Sequence, residues 1–424
     1  MAGYAHAAGA TGGKALELDR PTPVGDAGKN AGEATRLPEL FGNGPLLRLQ
    51  QRVLRAGVRS PSVQRRPLAV ALWRWAAAVA LIGWLPLLLL VAAAPAQPGA
   101  LRSLLLDFGL HCRSLLAAPI LVLAEAISAR LSEVARHFAS GGLIAPSDQA
   151  RFERTLDSTR RLAHSSLADG AAAALAYPIL FLLFAAGPLI PAWQRSGAGM
   201  FECSAAGWWH LLVSAPLLML LLLGWFWRLL LWVRFLWLVS RMELVLSPAH
   251  PDHCAGLRFL GYSLSDFSAL GLAFGTIVAG SLANRVARNA LTLVQYRQDF
   301  IVLALFVLAL FGAPLLLFSG PLLRTLRRGV YRYGRLAAGV GGQLDQKWLG
   351  AGTKLDEQAL GVQDFSAVTD LYQIASNVYA MRLLVLDVRS VAILLVATVL
   401  PLLAVAAASL PVDVLRQVLS ELLF

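Results

Sequence analysis

From residue 69 onward, seven long apolar runs alternate with shorter polar segments. They cover about 69–94, 104–127, 167–192, 206–239, 264–283, 300–323 and 390–410. An α-helix rises about 1.5 Å per residue, so roughly 20 apolar residues cross about 30 Å of hydrocarbon. Backbone N–H and C=O groups find no water there, and a helix satisfies them within each run. The pattern predicts an all-α polytopic membrane protein with about seven transmembrane helices. The fourth run is longer than a bilayer needs, so its C-terminal end is expected to project into the interface. There Arg228 and Arg234, set among Trp225, Trp227, Trp232 and Trp237, are expected to form an aromatic belt with snorkelling arginines.

Two polar segments are themselves helical by pattern. In 128–166 the stretch "AISARLSEVARHFAS" continues the second run, "GGLIAPSD" breaks it, and a second helix follows with Ser147 or Asp148 as its N-cap. Phe152, Leu156 and Ala163 line one side of that helix, which predicts a helical hairpin beside the membrane. In 324–388 a basic amphipathic helix is interrupted by "GAGTKLDEQALG" and resumes with Ser366 as its cap. Residues 1–67 are rich in Gly, Ala and Pro and bury too little apolar surface to fold, so they read as a disordered cytoplasmic tail, with "LLRLQQRVLRAGVRS" a basic surface helix within it. Residues 1–30 contain no apolar core of a signal peptide, so the first run is expected to act as an uncleaved insertion signal. No internal repeat is evident, and an inverted-repeat transporter architecture is not supported.

Composition agrees with this picture. The chain has 424 residues, 57% of them hydrophobic and 15% charged, with a mean hydropathy of +0.62. The net charge of +12 is spread over the flanks of the apolar runs, which favours anionic headgroups over nucleic acid as its counterpart. Ten Lys and Arg residues fall in 1–67, six Arg residues in 128–166 and seven Lys and Arg residues in 324–354. These segments lie on one side, expected to be the cytoplasm. The other side holds Arg102, Arg195, Arg416 and the trio Arg285, Arg288 and Arg297, and a re-entrant segment at that trio would invert the order. Cys112, Cys203 and Cys254 fall in three separate segments, so no disulfide framework is expected.

Candidate chemistry is sparse. In the second run Asp107, His111, Ser114, Ala118 and Glu125 are spaced by 4, 3, 4 and 7 residues. At about 100° per residue they share one helix face. Charges among spans usually face the bundle interior or a wet cavity, so this stripe lines a pathway or, alternatively, contacts a neighbouring helix with both acids at the interfaces. In the fifth run Gly271, Gly275, Ala279 and Ala283 form a stripe of small residues, which marks a central helix. Asp266 either faces the cavity of His111 or, as preferred, completes a capping box with Ser263. Asp387 and Arg389 flank the seventh run and are expected at the interface.

The loop "SPAHPDHCAGLRFLG" gathers His250, Asp252, His253 and Cys254. His-x-x-His-Cys offers three zinc ligands and no fourth. The preferred reading is structural: Pro251 opens a helical turn beside Asp252, and Gly256 and Gly261 cut it short between the fourth and fifth runs. At this point the chain resembles a family of uncharacterised bacterial inner-membrane proteins. Their pattern is His-Pro-Asp, two variable positions, Gly-Leu, one variable position, and Phe-Leu-Gly. His250, Pro251, Asp252, Gly256, Leu257, Phe259, Leu260 and Gly261 carry the resemblance, with His253 and Cys254 at variable positions. The downstream "VQDFSAVTDLYQIASNVYAMRLL" is similar to that family's cytoplasmic helix, and the resemblance extends over about 70–424. It implies no particular activity.

The chain contains no Walker A sequence, Gly-x-Ser-x-Gly, His-Glu-x-x-His or Cys-x-x-Cys, so no catalytic residue, metal or cofactor is assigned. The expected setting is a bacterial inner membrane, with the N-terminus cytoplasmic and the bilayer and further copies of the chain as partners. The leading expectation is a channel or secondary transporter for an unidentified solute or ion. The alternatives are a structural or sensory protein working through its cytoplasmic helices, and a membrane enzyme using His250, Asp252 and His253.

Overall fold

The structure, a computed structural model, describes residues 68–93, 97–186, 191–197, 202–289, 293–348 and 364–409. The proposed tail at 1–67, the breaker at 350–361 and the end of the last run lie outside them. Among the described residues the chain is built of helices, with only isolated bridges at Ile144–Leu244 and Arg195–Cys203. The helices are α1 (Leu68–Ala93), α2 (Ala100–Leu105), α3 (Phe108–Ser140), α4 (Gln149–Ala163), α5 (Ser166–Ala186) and α6 (Ala205–Ser240). There follow α7 (Phe259–Asp266), α8 (Ser268–Asn289), α9 (Leu293–Gly312), α10 (Ser319–Trp348), α11 (Asp364–Tyr379) and α12 (Val388–Ala408). A 3-10 segment, Ala313–Phe318, joins α9 to α10. Among the described residues seven helices are long and apolar enough to cross a membrane, and the protein is a multi-pass α-helical membrane protein.

The small-residue stripe of the fifth run places α8 at the centre. A side chain at Gly271 or Gly275 would meet Thr398 and Leu394, or Thr398 and Pro401, of α12. One at Gly280 would meet Cys112 and Gly109 of α3. Backbone thus approaches backbone on two sides of α8, as small residues permit. Further out, α3 also packs on α1, α5 packs on α6, and α9 packs on α12.

Three helical stretches outrun the bilayer furthest. The Phe108–Ser140 helix has 33 residues, Ala205–Ser240 has 36, and the Arg297–Gln343 stretch has 47. At about 1.5 Å per residue they reach roughly 50 to 70 Å against about 30 Å of hydrocarbon. Their excess gathers on one face, here called the basic face. Phe235 of α6 takes Phe138 of α3 and Phe152 of α4 at 6.3 Å each, and Phe138 stacks on Phe318 at 6.1 Å. The hairpin of 128–166 therefore exists, but its two arms close on α6. Ser147 and Asp148 do not cap α4 with their side chains; they bond Glu243, through its carboxylate and its backbone N–H respectively.

Several expectations are corrected. The 104–127 run is broken before Asp107, so Leu104 belongs to α2 and the spanning helix starts at Phe108. Trp225, Trp232 and Arg228 form no lipid-facing belt, because α3 covers that side and buries them. Arg234 bonds Ser158 and Thr159 of α4. Ser366 lies inside α11, which begins at Asp364. Asp387 keeps its flanking place: it directly precedes α12 and caps it, accepting the N–H and hydroxyl of Ser390. No correction falls on the basic trio: Arg285 pairs with Asp299 at 2.9 Å, and Arg285, Arg288 and Arg297 lie at the facing ends of α8 and α9.

The close approach of α8 can be tested directly. Gly275→Ala sets a methyl against the Thr398 carbonyl and should cost about 1–3 kcal/mol. Gly339→Ala in α10, where nothing lies within 4 Å, should be stabilising by about 0.5–1 kcal/mol. Thermal unfolding of the detergent-solubilised protein measures both.

Candidate functional site

The polar stripe does not keep to one helix face. Asp107 precedes the helix as its N-cap, with φ −84° and ψ 79°, and accepts the N–H of Leu110 at 3.0 Å. Its carboxylate also accepts Asn284 Nδ2 of α8 at 2.9 Å and Trp193 Nε1 at 3.1 Å. Beyond it the helix passes through a π turn, Cys112–Ala117, and a 3-10 turn, Ala124–Ala126. Each changes the angle per residue, so the regular spacing in sequence is not a straight line in space.

Each stripe residue meets another part of the bundle. His111 Nδ1 receives Trp84 Nε1 of α1 at 3.4 Å, with the rings edge to face. Ser214 Oγ, in a second π turn at His210–Ser214 of α6, donates to the Gly83 carbonyl of α1 at 2.6 Å. Because that proton is committed, Ser114 Oγ is the donor in its 3.4 Å contact with Ser214 Oγ. Glu125 pairs with Arg228 of α6 at 2.8 Å, both side chains less than a tenth exposed. The Arg228 guanidinium lies 4.7 Å over Trp225, whose Nε1 donates to the Leu121 carbonyl at 2.9 Å. Asp266 is remote from His111. It ends α7 and accepts Arg130 Nη1 at 2.6 Å, while Ser263 bonds back to the Leu260 carbonyl, so there is no capping box. Trp84, Trp193, Ser214, Arg228 and Asn284 complete these contacts, and Asn284 beside the small-residue stripe of α8 was the one legible clue.

The His-Pro-Asp loop is wound around one carboxylate. Asp252 accepts backbone N–H groups from Cys254 at 2.8 Å and from Gly256 and Arg258 at 3.1 Å each. His250 Nδ1 lies 2.8 Å from Asp252 Oδ1. To turn three donors inward the backbone takes positive φ at His253, Ala255 and Gly256, and only glycine does so without steric cost. Pro251 therefore starts no helix; regular helix begins at Phe259. Gly261 lies against the backbone of Val385 and Asp387, Arg258 pairs with Asp387 at 3.0 Å, and the His253 carbonyl accepts Arg382 N–H at 2.7 Å. Leu257 and Leu260 are fully buried, and Phe259 packs on Phe138 and His137. Three residues, His253, Cys254 and Ala255, separate Asp252 from Gly256, one more than the two variable positions of the resembled pattern.

No family model, curated protein or solved structure matches this chain. The reading of the loop rests on its own geometry. Among the described residues no three His, Cys, Asp or Glu side chains gather so as to hold a metal ion. The three cysteines are free. With both Asp252 oxygens accepting backbone N–H groups, the loop is a latch between α6 and α7 on one side and the entry to α12 on the other.

Both carboxyls of the latch sit below the ordinary value of 3.8. Burial alone raises each. For Asp252 the N–H groups of Cys254, Gly256 and Arg258, with His250, outweigh it; for Asp387, Ser390 and Arg258 do. A depressed carboxyl stabilises the fold above its unfolded value, and that contribution disappears as pH falls through the folded value. The unfolding temperature should therefore hold down to about pH 5 and drop below about pH 4. Asp252→Ala should cost about 2–3 kcal/mol at neutral pH and shrink the acid drop.

The ion pair gives a second test. Arg228→Met alone strands a buried carboxylate and should cost about 3–5 kcal/mol. The double variant Glu125→Gln, Arg228→Met should recover most of that loss. Unfolding of the four proteins in one detergent closes the cycle.

Proposed function

We propose that this protein is a non-catalytic scaffold of a bacterial inner membrane, with its N-terminus and basic face in the cytoplasm, working through the helical layer on that face. One observation carries the reading. Several polar side chains among the spans are engaged with other helices, as in Glu125–Arg228 and Ser114–Ser214–Gly83, and Thr276 and Thr398 bond carbonyls of their own helices, while the elaborated structure lies on the basic face. There α3, α4, α6 and the 3-10 segment share an aromatic core, and the latched loop ties it to α12. Membership of the uncharacterised inner-membrane family belongs to the same proposal. It is supported by the distinct structural tasks of Asp252, Gly256, Leu257, Leu260 and Gly261.

A channel or secondary transporter is the second reading. What favours it is the pair of π turns, in α3 and α6, meeting through Ser114 and Ser214. Such turns are frequent at functional sites. The enzyme reading has less support, since Asp252 is bound by its own loop.

Cysteine substitutions in a background without the native cysteines separate these readings. On intact cells, an impermeant thiol reagent should label Ser196→Cys and spare Ser140→Cys; the reverse pattern overturns the orientation. In liposomes, Ser114→Cys and Ala118→Cys should resist a small water-soluble thiol reagent that modifies Ser140→Cys. Ready modification of the first two would sink the scaffold reading and promote the transporter.

A further inference from the structure

Helix α10 leaves the apolar core as a two-faced helix. Inward, Leu322 is fully buried, Leu326 packs on the core, and a side chain at Gly329 would meet Pro248 and Val378. Outward stand Arg324, Arg327, Arg328, Arg332 and Arg335, all exposed. At about 100° per residue they fall within an arc of roughly 140°. Tyr331, 76% exposed, lies inside that arc. Among the described residues none of the five arginines has an ion-pair partner, although Arg130, Arg151, Arg228, Arg258 and Arg285 each have one.

Position identifies the counterpart. Arg324 directly follows Leu323, the end of the apolar run. Arg327 and Arg328 come within about 6 Å of Arg324 along the axis, the depth of a headgroup layer. Arg332 and Arg335 follow within about 17 Å, roughly two Debye lengths at physiological salt. Guanidinium groups bind phosphate oxygens in pairs, and an exposed tyrosine suits the interface. We propose that this arginine face binds the headgroups of anionic phospholipids in the adjoining leaflet. It is a lipid-docking surface, independent of the scaffold reading.

The test uses the full chain reconstituted in phosphatidylcholine vesicles containing a minor share of phosphatidylglycerol. After mild detergent extraction, mass spectrometry counts the lipids retained per protein. Wild type should hold phosphatidylglycerol at about fivefold or more over its share of the vesicle. R324Q/R327Q/R328Q should fall close to the bulk ratio, and R332Q/R335Q should lose less, because those residues stand further from the headgroups. If the triple variant aggregates, the single R324Q, R327Q and R328Q variants should show the same loss in smaller steps. Inorganic phosphate should not displace the lipid. Unchanged enrichment in the arginine variants, or displacement by phosphate alone, would overturn the proposal. So would a wild type that shows no enrichment but binds heparin through these arginines, which would point to a soluble polyanion instead.

Discussion

Hydrocarbon supplies no water to a stranded polar group, and this bundle is organised around that constraint. The close approach of α8 to α12 and α3, through Gly271, Gly275 and Gly280, brings polar groups of different helices within bonding distance. Asn284 can then reach Asp107 and the N–H of Gly109, closing the break between α2 and α3, where the buried N–H groups of Gly109 and Leu110 would otherwise lack partners. Arg228 reaches Glu125 in the same way, from a helix that shares its buried side with α3.

Departures from regular helix occur at these meetings. The π turn at Cys112–Ala117 carries Ser114 and the one at His210–Ser214 carries Ser214, and both approach Gly83 of α1. The 3-10 turn at Ala124–Ala126 contains Glu125. A regular helix keeps its carbonyls engaged with its own N–H groups. Here carbonyls of Gly83 and Leu121 accept bonds from side chains of α6, so α6 is keyed to α1 and α3 by backbone as well as by packing. On the basic face the same economy appears in the latch, where one aspartate satisfies three N–H groups of a loop without regular structure, and its neighbours fix the start of α12.

Much of the architecture was legible because it depends on quantities that a chain carries locally. Run length against bilayer thickness located the seven spanning helices to within a few residues at most ends. The alternation of Phe152, Leu156 and Ala163 marked the buried side of α4, and the small residues of the fifth run marked the central helix. The stripe was less legible. Its even spacing assumed a regular helix, and the assumption failed at the N-cap of Asp107 and at two irregular turns. The Trp and Arg cluster of α6 was misplaced for a related reason. Amphipathic side chains suit a lipid interface and a protein interior equally well, and only the position of α3 decides between them.

Length, hydropathy and charge distribution by themselves determined that this chain is a bundle of membrane-spanning helices with basic helical segments between them. Its proline and glycines singled out the His-Pro-Asp loop as a tight connection between two runs. What the polar residues do was decided by the tertiary structure alone. Partners such as Asp107 with Asn284, or Arg258 with Asp387, lie more than a hundred positions apart. Pairing at that distance depends on how helices cross, and crossing is set by which backbones can touch, a property of two surfaces that no single segment contains.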